Sequence, residues 1–129
     1  MPALRRAASL LHLVLAAVVV AGVFAQVYLI GAYIFGAGAD ALDAHENLGF
    51  TVHGLEVLVL VSALVAWLPR ADLLLSLTLA VVGTIQIALA SSTKWVGGLH
   101  PLFALLVLTL ASALTHRSLR RRRTAPAAG

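Results

Sequence analysis

Four long apolar runs separated by short polar segments form the pattern of this chain. The runs are Ala7 to Tyr33, Leu48 to Leu68, Leu73 to Ala90, and Leu102 to Thr115 with its flanks. Most approach or exceed the ~20 residues that a helix needs to cross ~30 Å of hydrocarbon. The pattern predicts an all-α polytopic membrane protein. The expected spans are 7–33, 46–68, 72–91 and 100–117, within one domain over 1–119 that is followed by a basic tail over 120–129.

The composition agrees with that class. Hydrophobic residues make up 61% of the 129 residues, charged residues make up 11%, and the mean hydropathy is +1.01. The first run starts with Arg5 and Arg6, as a signal peptide does, but its apolar part is much longer than the usual 7–15 residues. We therefore predict a retained helix. The chain has no cysteine, which excludes disulfides and thiolate ligands.

Basic side chains are distributed unevenly over the two sides of the predicted bundle. One side carries Arg5, Arg6, Arg70, Arg117 and Arg120 to Arg123, and the other carries Asp40, Asp43, Glu46 and Lys94. The positive-inside rule predicts that both termini and the turn between the second and third spans are cytoplasmic. The arginine-rich tail is interpreted as an anchor at anionic lipid rather than as a nucleic-acid binding segment.

Local sequence signals mark the ends of the spans. Asp43 followed by Glu46 is typical of a capping box and predicts that the second helix begins near Ala44. Pro69 ends that helix, and Pro101 suits the first turn of the fourth. The short connections favour an up-down-up-down four-helix bundle. We find no convincing internal repeat in the sequence, although spans 1–2 and 3–4 share a coarse plan.

Polar residues on the second span fall on one side of the helix. The polar residues are His45, His53 and Glu56, and Gly49 and Val52 lie in the same arc. At 100° per residue the five positions span about 100°. Ionisable groups in a span rarely face lipid, so we expect this arc to face the bundle interior.

A depth count pairs histidines of the second and fourth spans. His53 lies sixteen residues before Pro69, and His100 lies seventeen before Arg117, so both stand ~25 Å above the cytoplasmic ends. The two spans are diagonal in a square bundle, ~12–14 Å apart, which suits a haem held between two imidazoles. We predict one haem b near the outer face with His53 and His100 as axial ligands. His45 then lies higher, beside a propionate, and is the alternative ligand.

Two short motifs resemble those of known haem proteins. "HxxLG" at 45–49 and "LHP" at 99–101 resemble the helix openings in the haem-binding half of haem A synthases. In those enzymes, histidines at the outer ends of the second and fourth helices ligate haem. This resemblance implies His45 rather than His53 as a ligand. The enzymes carry arginine where Glu46 stands here, so synthase activity is not implied.

A wider resemblance covers most of the chain. It is similar to an uncharacterised family of small four-span bacterial membrane proteins and, more loosely, to transmembrane b-type cytochromes. That family has a glutamine late in the first helix and another in the third, matched here by Gln26 and Gln86. We expect these two residues and Thr84 to make interhelical hydrogen bonds, with the glutamines close to the cofactor. Gly49 and Gly54 are expected to let a flat macrocycle approach the second helix.

Each candidate residue also has a structural interpretation. His45 is then an interfacial side chain, His100 is a helix cap, and His53 pairs with Glu56 at i, i+3. Glu56 is otherwise expected to hold a ligand histidine or to relay protons. A second, inner haem between His12 and a histidine of the basic flank, His116, is conceivable, but the sequence favours a single haem.

Three functions remain open from the sequence. The first is electron transfer through a bis-histidine haem, with a quinol or another redox partner. The second is a small proton-coupled transporter or exporter that uses Glu56, and the third is a structural accessory subunit. The strong bias in Lys and Arg counts against small exporters that insert in both orientations. No hydrolase or transferase motif is present, and the expected partners are membrane lipid and a redox partner, not nucleic acid.

Overall fold

The computed structural model describes residues 2–124 and contains only helices within that range. They are α1 (Pro2–Ile34), α2 (Ala39–Val65), α3 (Arg70–Ala90), α4 (Lys94–Gly97) and α5 (His100–Thr124). The predicted all-α fold is confirmed, since four of these segments are long and apolar enough to cross a membrane. The last five residues of the predicted basic tail, 125–129, lie outside the described residues.

The four long helices form a square in which each packs against two others. Both α1 and α3 pack against α2 and α5, so α2 and α5 lie on one diagonal. Neighbouring helices are antiparallel: the Nε2 atom of Gln26 lies 3.1 Å from the position that a Cβ of Gly49 would occupy, and Gly22 closely approaches Val52. Glycine is needed at position 22 because a Cβ there would overlap the Val52 side chain.

The core is a narrow apolar column along the bundle axis. Its fully buried side chains come from all four long helices: Ala16, Val19, Val59, Leu79, Val107, Ala111 and Leu114. Many other leucines, valines and aromatic residues are 40% exposed or more. In water such a continuous apolar surface favours aggregation, whereas hydrocarbon accommodates it, and this agrees with four spans.

The second helix begins five residues earlier than the capping motif predicted. Gly38 precedes α2 with a φ of 87°, and Asp43 lies within the helix rather than at its cap. Because glycine adopts positive φ at little cost, the chain reverses at Gly36 and Gly38 and enters the helix at once. Asp40 then stands in the first turn, where the helix dipole favours a carboxylate.

The structure shows a repeat in burial that agrees with the coarse plan shared by spans 1–2 and 3–4. Buried positions of α1 recur in α3 sixty residues later, as in His12/Asp72, Ala16/Ser76, Val19/Leu79 and Val23/Gly83. Buried positions of α2 recur in α5 fifty-five residues later, as in Val52/Val107, Glu56/Ala111, Val59/Leu114 and Ala63/Ser118. The two helical hairpins are therefore related by a pseudo-two-fold axis. Sequence comparison misses it because only a few of the paired residues are identical, among them Val52/Val107, Gln26/Gln86 and His45/His100.

Candidate functional site

Two histidines meet across the diagonal at one end of the bundle. His45, in the second turn of α2, and His100, the first residue of α5, have ring centroids 6.3 Å apart and ring planes inclined by 68°. Imidazole nitrogens bind metal ions at about 2 Å, so two imidazoles on opposite sides of one ion have ring centroids roughly 6 Å apart. The observed separation matches that spacing.

Each of these histidines is oriented by a backbone carbonyl of the preceding long helix. Nδ1 of His45 lies 3.1 Å from the carbonyl oxygen of Gln26, and Nδ1 of His100 lies 3.0 Å from that of Gln86. A carbonyl only accepts, so Nδ1 carries the hydrogen in both rings and Nε2 keeps its lone pair. This is how ligand histidines are commonly held, with one ring nitrogen anchored and the other free for a metal.

The structure pairs His100 with His45, whereas the depth count paired it with His53. The count took Pro69 and Arg117 as lying at one level. Arg117 instead donates to Asp72, three residues beyond Pro69 on α3. The reference point on α5 therefore stands about one helical turn, ~5 Å, higher than assumed. That difference moves His100 away from the level of His53 and towards that of His45.

His53 belongs to a separate polar cluster deeper in the bundle. Its Nδ1 lies 3.0 Å from Oε2 of Glu56, and its Nε2 lies 3.5 Å from the hydroxyl of Thr84 on α3. The Glu56 side chain is 2% exposed and that of His53 is 24% exposed. A Cβ at Gly83 would overlap the Glu56 carboxylate. The pairing at i, i+3 considered from the sequence is thus present, and its carboxylate lies directly against the α3 backbone.

The two glutamines act through their backbones rather than through their amides. Their carbonyl oxygens accept from the two facing histidines, as described above. The Gln26 side chain packs on α2 where Gly49 leaves room, and its Oε1 is buried without a hydrogen-bond partner. Gly54, by contrast, is exposed and has open space where a Cβ would be. Gly49 is therefore beside the histidine pair, and Gly54 is not.

A third polar cluster at the opposite end of the bundle was missed by sequence reasoning. His12 is fully buried. Its Nε2 lies 3.2 Å from the Ser76 hydroxyl, and its Nδ1 lies 3.2 Å from the Ser118 hydroxyl. Buried Asp72 accepts from Arg117 and Arg121. The signal was available, since His12, Asp72, Ser76 and Ser118 interrupt apolar runs, but Asp72 was taken only as the start of the third span.

The geometry around His12 bears on a second haem. Both of its ring nitrogens contact serine hydroxyls, and His116 is exposed. The pair proposed for an inner haem therefore does not face one another as His45 and His100 do. An apolar groove of about 470 Å³ also lies at this end, between α1 and α2. Its lining includes Leu4 and Val65 and contains no histidine.

Within residues 2–124, no group of three or more His, Asp or Glu side chains is placed to hold a metal ion. A free ion in a protein usually takes four or more ligands. Comparison of the chain with protein-family models, with curated proteins and with solved structures gave no match. The geometry of the facing pair, His45 and His100, is therefore the basis for a functional assignment.

Proposed function

We propose that this chain is an integral membrane protein that binds one haem b between His45 and His100 and transfers electrons near the outer face of a bacterial cytoplasmic membrane. The observation that supports it is the facing pair, with ring centroids 6.3 Å apart and both Nδ1 atoms anchored on backbone carbonyls. Two free Nε2 atoms on diagonal helices are the complete axial set that a six-coordinate haem needs.

The residues present fit haem better than a free metal ion. The pair offers two nitrogens and no third ligand among residues 2–124, whereas the porphyrin itself supplies the other four ligands. The buried, unpartnered Oε1 of Gln26 beside Gly49 leaves one polar position open next to the pair. A bound haem would supply a one-electron iron couple. The protein would orient both ligands and exclude water through the apolar column below them.

The charge distribution supports the orientation. Arg5, Arg70 and the arginines of α5 lie at the end that holds His12, and the acidic residues Asp40 and Glu46 lie at the end with the facing histidines. Under the positive-inside rule the His12 end faces the cytoplasm. The haem would then lie close to the outer surface, in reach of a quinol in the membrane or of a soluble acceptor outside it.

An absorption spectrum of the detergent-purified protein, oxidised and then reduced with dithionite, tests the proposal first. We expect sharp reduced α and β bands and one haem per chain in a pyridine haemochrome assay. His45→Ala and His100→Ala should each lose six-coordinate haem while the protein still inserts. His53→Ala is the matched control and should keep the six-coordinate spectrum.

The outcomes separate the alternatives. Loss of six-coordinate haem in His53→Ala, with His45→Ala unchanged, would restore the ligand predicted from the depth count. A colourless protein from haem-replete cells would refute haem binding. Buried Glu56 would then favour the proton-coupled transporter, because a carboxylate in the middle of a span is commonly part of a proton or ion pathway.

A further inference from the structure

The His53–Glu56 pair is isolated from every other titratable group in the middle of the bundle. Between His12 and Tyr28, α1 has no titratable side chain, and α3 has none after Asp72. On α5 there is none between His100 and His116. The pair is therefore the only titratable element in the middle of the described bundle, and α1, α3 and α5 face it with no charge.

The bundle makes room for this carboxylate on one side only. Under the pseudo-two-fold axis, Glu56 corresponds to Ala111 and Gly83 corresponds to Val23. At these equivalent positions, α1 and α5 carry Val23 and Ala111, whereas α2 and α3 carry Glu56 and Gly83. The Glu56 carboxylate occupies the space that a Cβ at Gly83 would take. The two residues that depart from the symmetry are therefore complementary in shape.

The hydrogen bonds of the cluster require one proton between the two side chains. The Thr84 hydroxyl donates to the carbonyl oxygen of Ala80 at 2.9 Å, so towards Nε2 of His53 it acts as an acceptor. Nε2 therefore carries a hydrogen. The contact between Nδ1 and Oε2 of Glu56 then also needs a hydrogen, whichever atom bears it, because two lone pairs would repel.

With that proton, the pair has no net charge, as an imidazolium with a carboxylate or as an imidazole with a carboxylic acid. Without it, the pair carries one negative charge in an apolar environment, which is costly unless a positive charge lies nearby. Glu56 is eleven residues from His45 along α2, which corresponds to ~16 Å. Charges still influence one another over such a distance where little water screens them.

We propose that His53 and Glu56 form a proton-binding site whose occupancy follows the redox state of the haem, an inference that rests on the haem proposal above. With haem bound, the pair would take one proton from water when a reductant such as a quinol supplies an electron and removes one positive charge from the haem. The pair would release that proton when an acceptor takes the electron away. Each cycle of one electron then moves one proton on and off the pair.

Redox titration of the haem absorbance at a series of pH values from 5 to 9 tests this. We expect the midpoint potential of the wild-type protein to fall as pH rises, with a slope of up to about 59 mV per pH unit where electron and proton are fully coupled. Glu56→Gln and His53→Gln should flatten that slope. Glu46→Gln removes an exposed carboxylate nearer the haem and should leave the slope unchanged.

Infrared difference spectra between the reduced and oxidised protein give a second readout. A carboxyl signal of the wild type that disappears in Glu56→Gln is the expected result. An equal slope in the wild type and in both cluster variants would overturn the inference and leave the haem proposal standing. A protein that binds no haem overturns both, and a Glu56→Gln variant that fails to fold is replaced in both measurements by His53→Gln.

Discussion

At the scale of single residues, the site depends on small positions as much as on the histidines. Gly83 has no side chain where the Glu56 carboxylate lies, and Gly49 leaves the space into which the Gln26 amide packs. These contacts are not visible in the sequence, where each glycine is one of ten. Glycine within a helix lowers stability relative to alanine. Here that cost gives space to the Glu56 carboxylate and to the Gln26 amide.

Gly83→Ala tests that fit. The added methyl group overlaps the Glu56 carboxylate, so we expect a loss of about 1–3 kcal/mol of unfolding free energy in denaturant titrations in detergent. Adding Glu56→Ala to that variant should recover part of the loss, because the overlap disappears. Gly54→Ala is the control, since open space surrounds its Cβ position. Equal losses of unfolding free energy at positions 54 and 83 would contradict a close fit between Gly83 and the Glu56 carboxylate.

Sequence reasoning identified the residue types of the site better than their partners. His45, His53, Glu56 and His100 were all recognised, because ionisable groups stand out in an apolar span. The motif resemblance grouped His45 with His100 and the depth count grouped His53 with His100, and the sequence did not decide between them. The level of each helix depends on side-chain contacts such as Arg117 with Asp72, and the hydrogen bonds that orient the facing histidines end on backbone oxygens, which leave no trace in composition.

At the scale of helices, the polar network around His12 ties together three that are far apart in the chain. His12 of α1 contacts Ser76 of α3 and Ser118 of α5, and Ser118 also accepts from Arg121. The serine hydroxyl of Ser76 donates to the carbonyl oxygen of Asp72. In an apolar environment each unpaired member of such a network is costly, so the network holds this end of the helices in register.

His12→Ala should therefore destabilise the bundle. We expect a loss of about 1–3 kcal/mol of unfolding free energy, because two buried hydroxyls each lose one of their two partners. His116→Ala, which changes an exposed histidine on α5, should stay within about 0.5 kcal/mol of the wild type. Denaturant titrations of both variants in one detergent make the comparison, and indistinguishable midpoints would show that the network contributes no stability.

Asp72 carries the ionic part of the same network. Its carboxylate is 1% exposed and accepts from both Arg117 and Arg121. Asp72→Ala should cost about 1–3 kcal/mol, since the partly exposed Arg117 and Arg121 lose a buried, charged hydrogen-bond acceptor. Asp40→Ala, at the exposed start of α2, is the control, and its effect should be below about 1 kcal/mol. Thermal unfolding in detergent measures both, and equal effects would refute a stabilising role for the ion pair.

At the scale of the whole molecule, the bundle has two polar ends separated by a layer that is apolar apart from the His53–Glu56 cluster. The facing histidines lie at one end and the His12 network at the other. Between them the core consists of Val19, Val59, Leu79, Val107 and Leu114, all fully buried or nearly so. The number of long helices and their apolar character were predictable from run length alone. The pseudo-two-fold arrangement was not, because it is expressed in burial and packing.

The orientation in the membrane is open to a direct test because the chain has no cysteine. Single cysteines at Ser92, after α3, and at Ala71, at the start of α3, mark the two ends of the bundle, and both positions are exposed. In intact cells, a membrane-impermeant maleimide should label Ser92→Cys and spare Ala71→Cys, which reacts only after the cells are opened. The reverse pattern would invert the topology proposed from the arginines.

The anchoring of both ring nitrogens on main-chain oxygens has an evolutionary consequence. A carbonyl group is supplied by every amino acid, so positions 26 and 86 can change identity without loss of the acceptors that orient His45 and His100. Selection then acts on the helix path, on the two imidazoles and on small residues such as Gly49, and residues 26 and 86 are free to change. Homologous sites of this kind are expected to diverge beyond recognition in sequence while their geometry persists, so they are better searched for by shape.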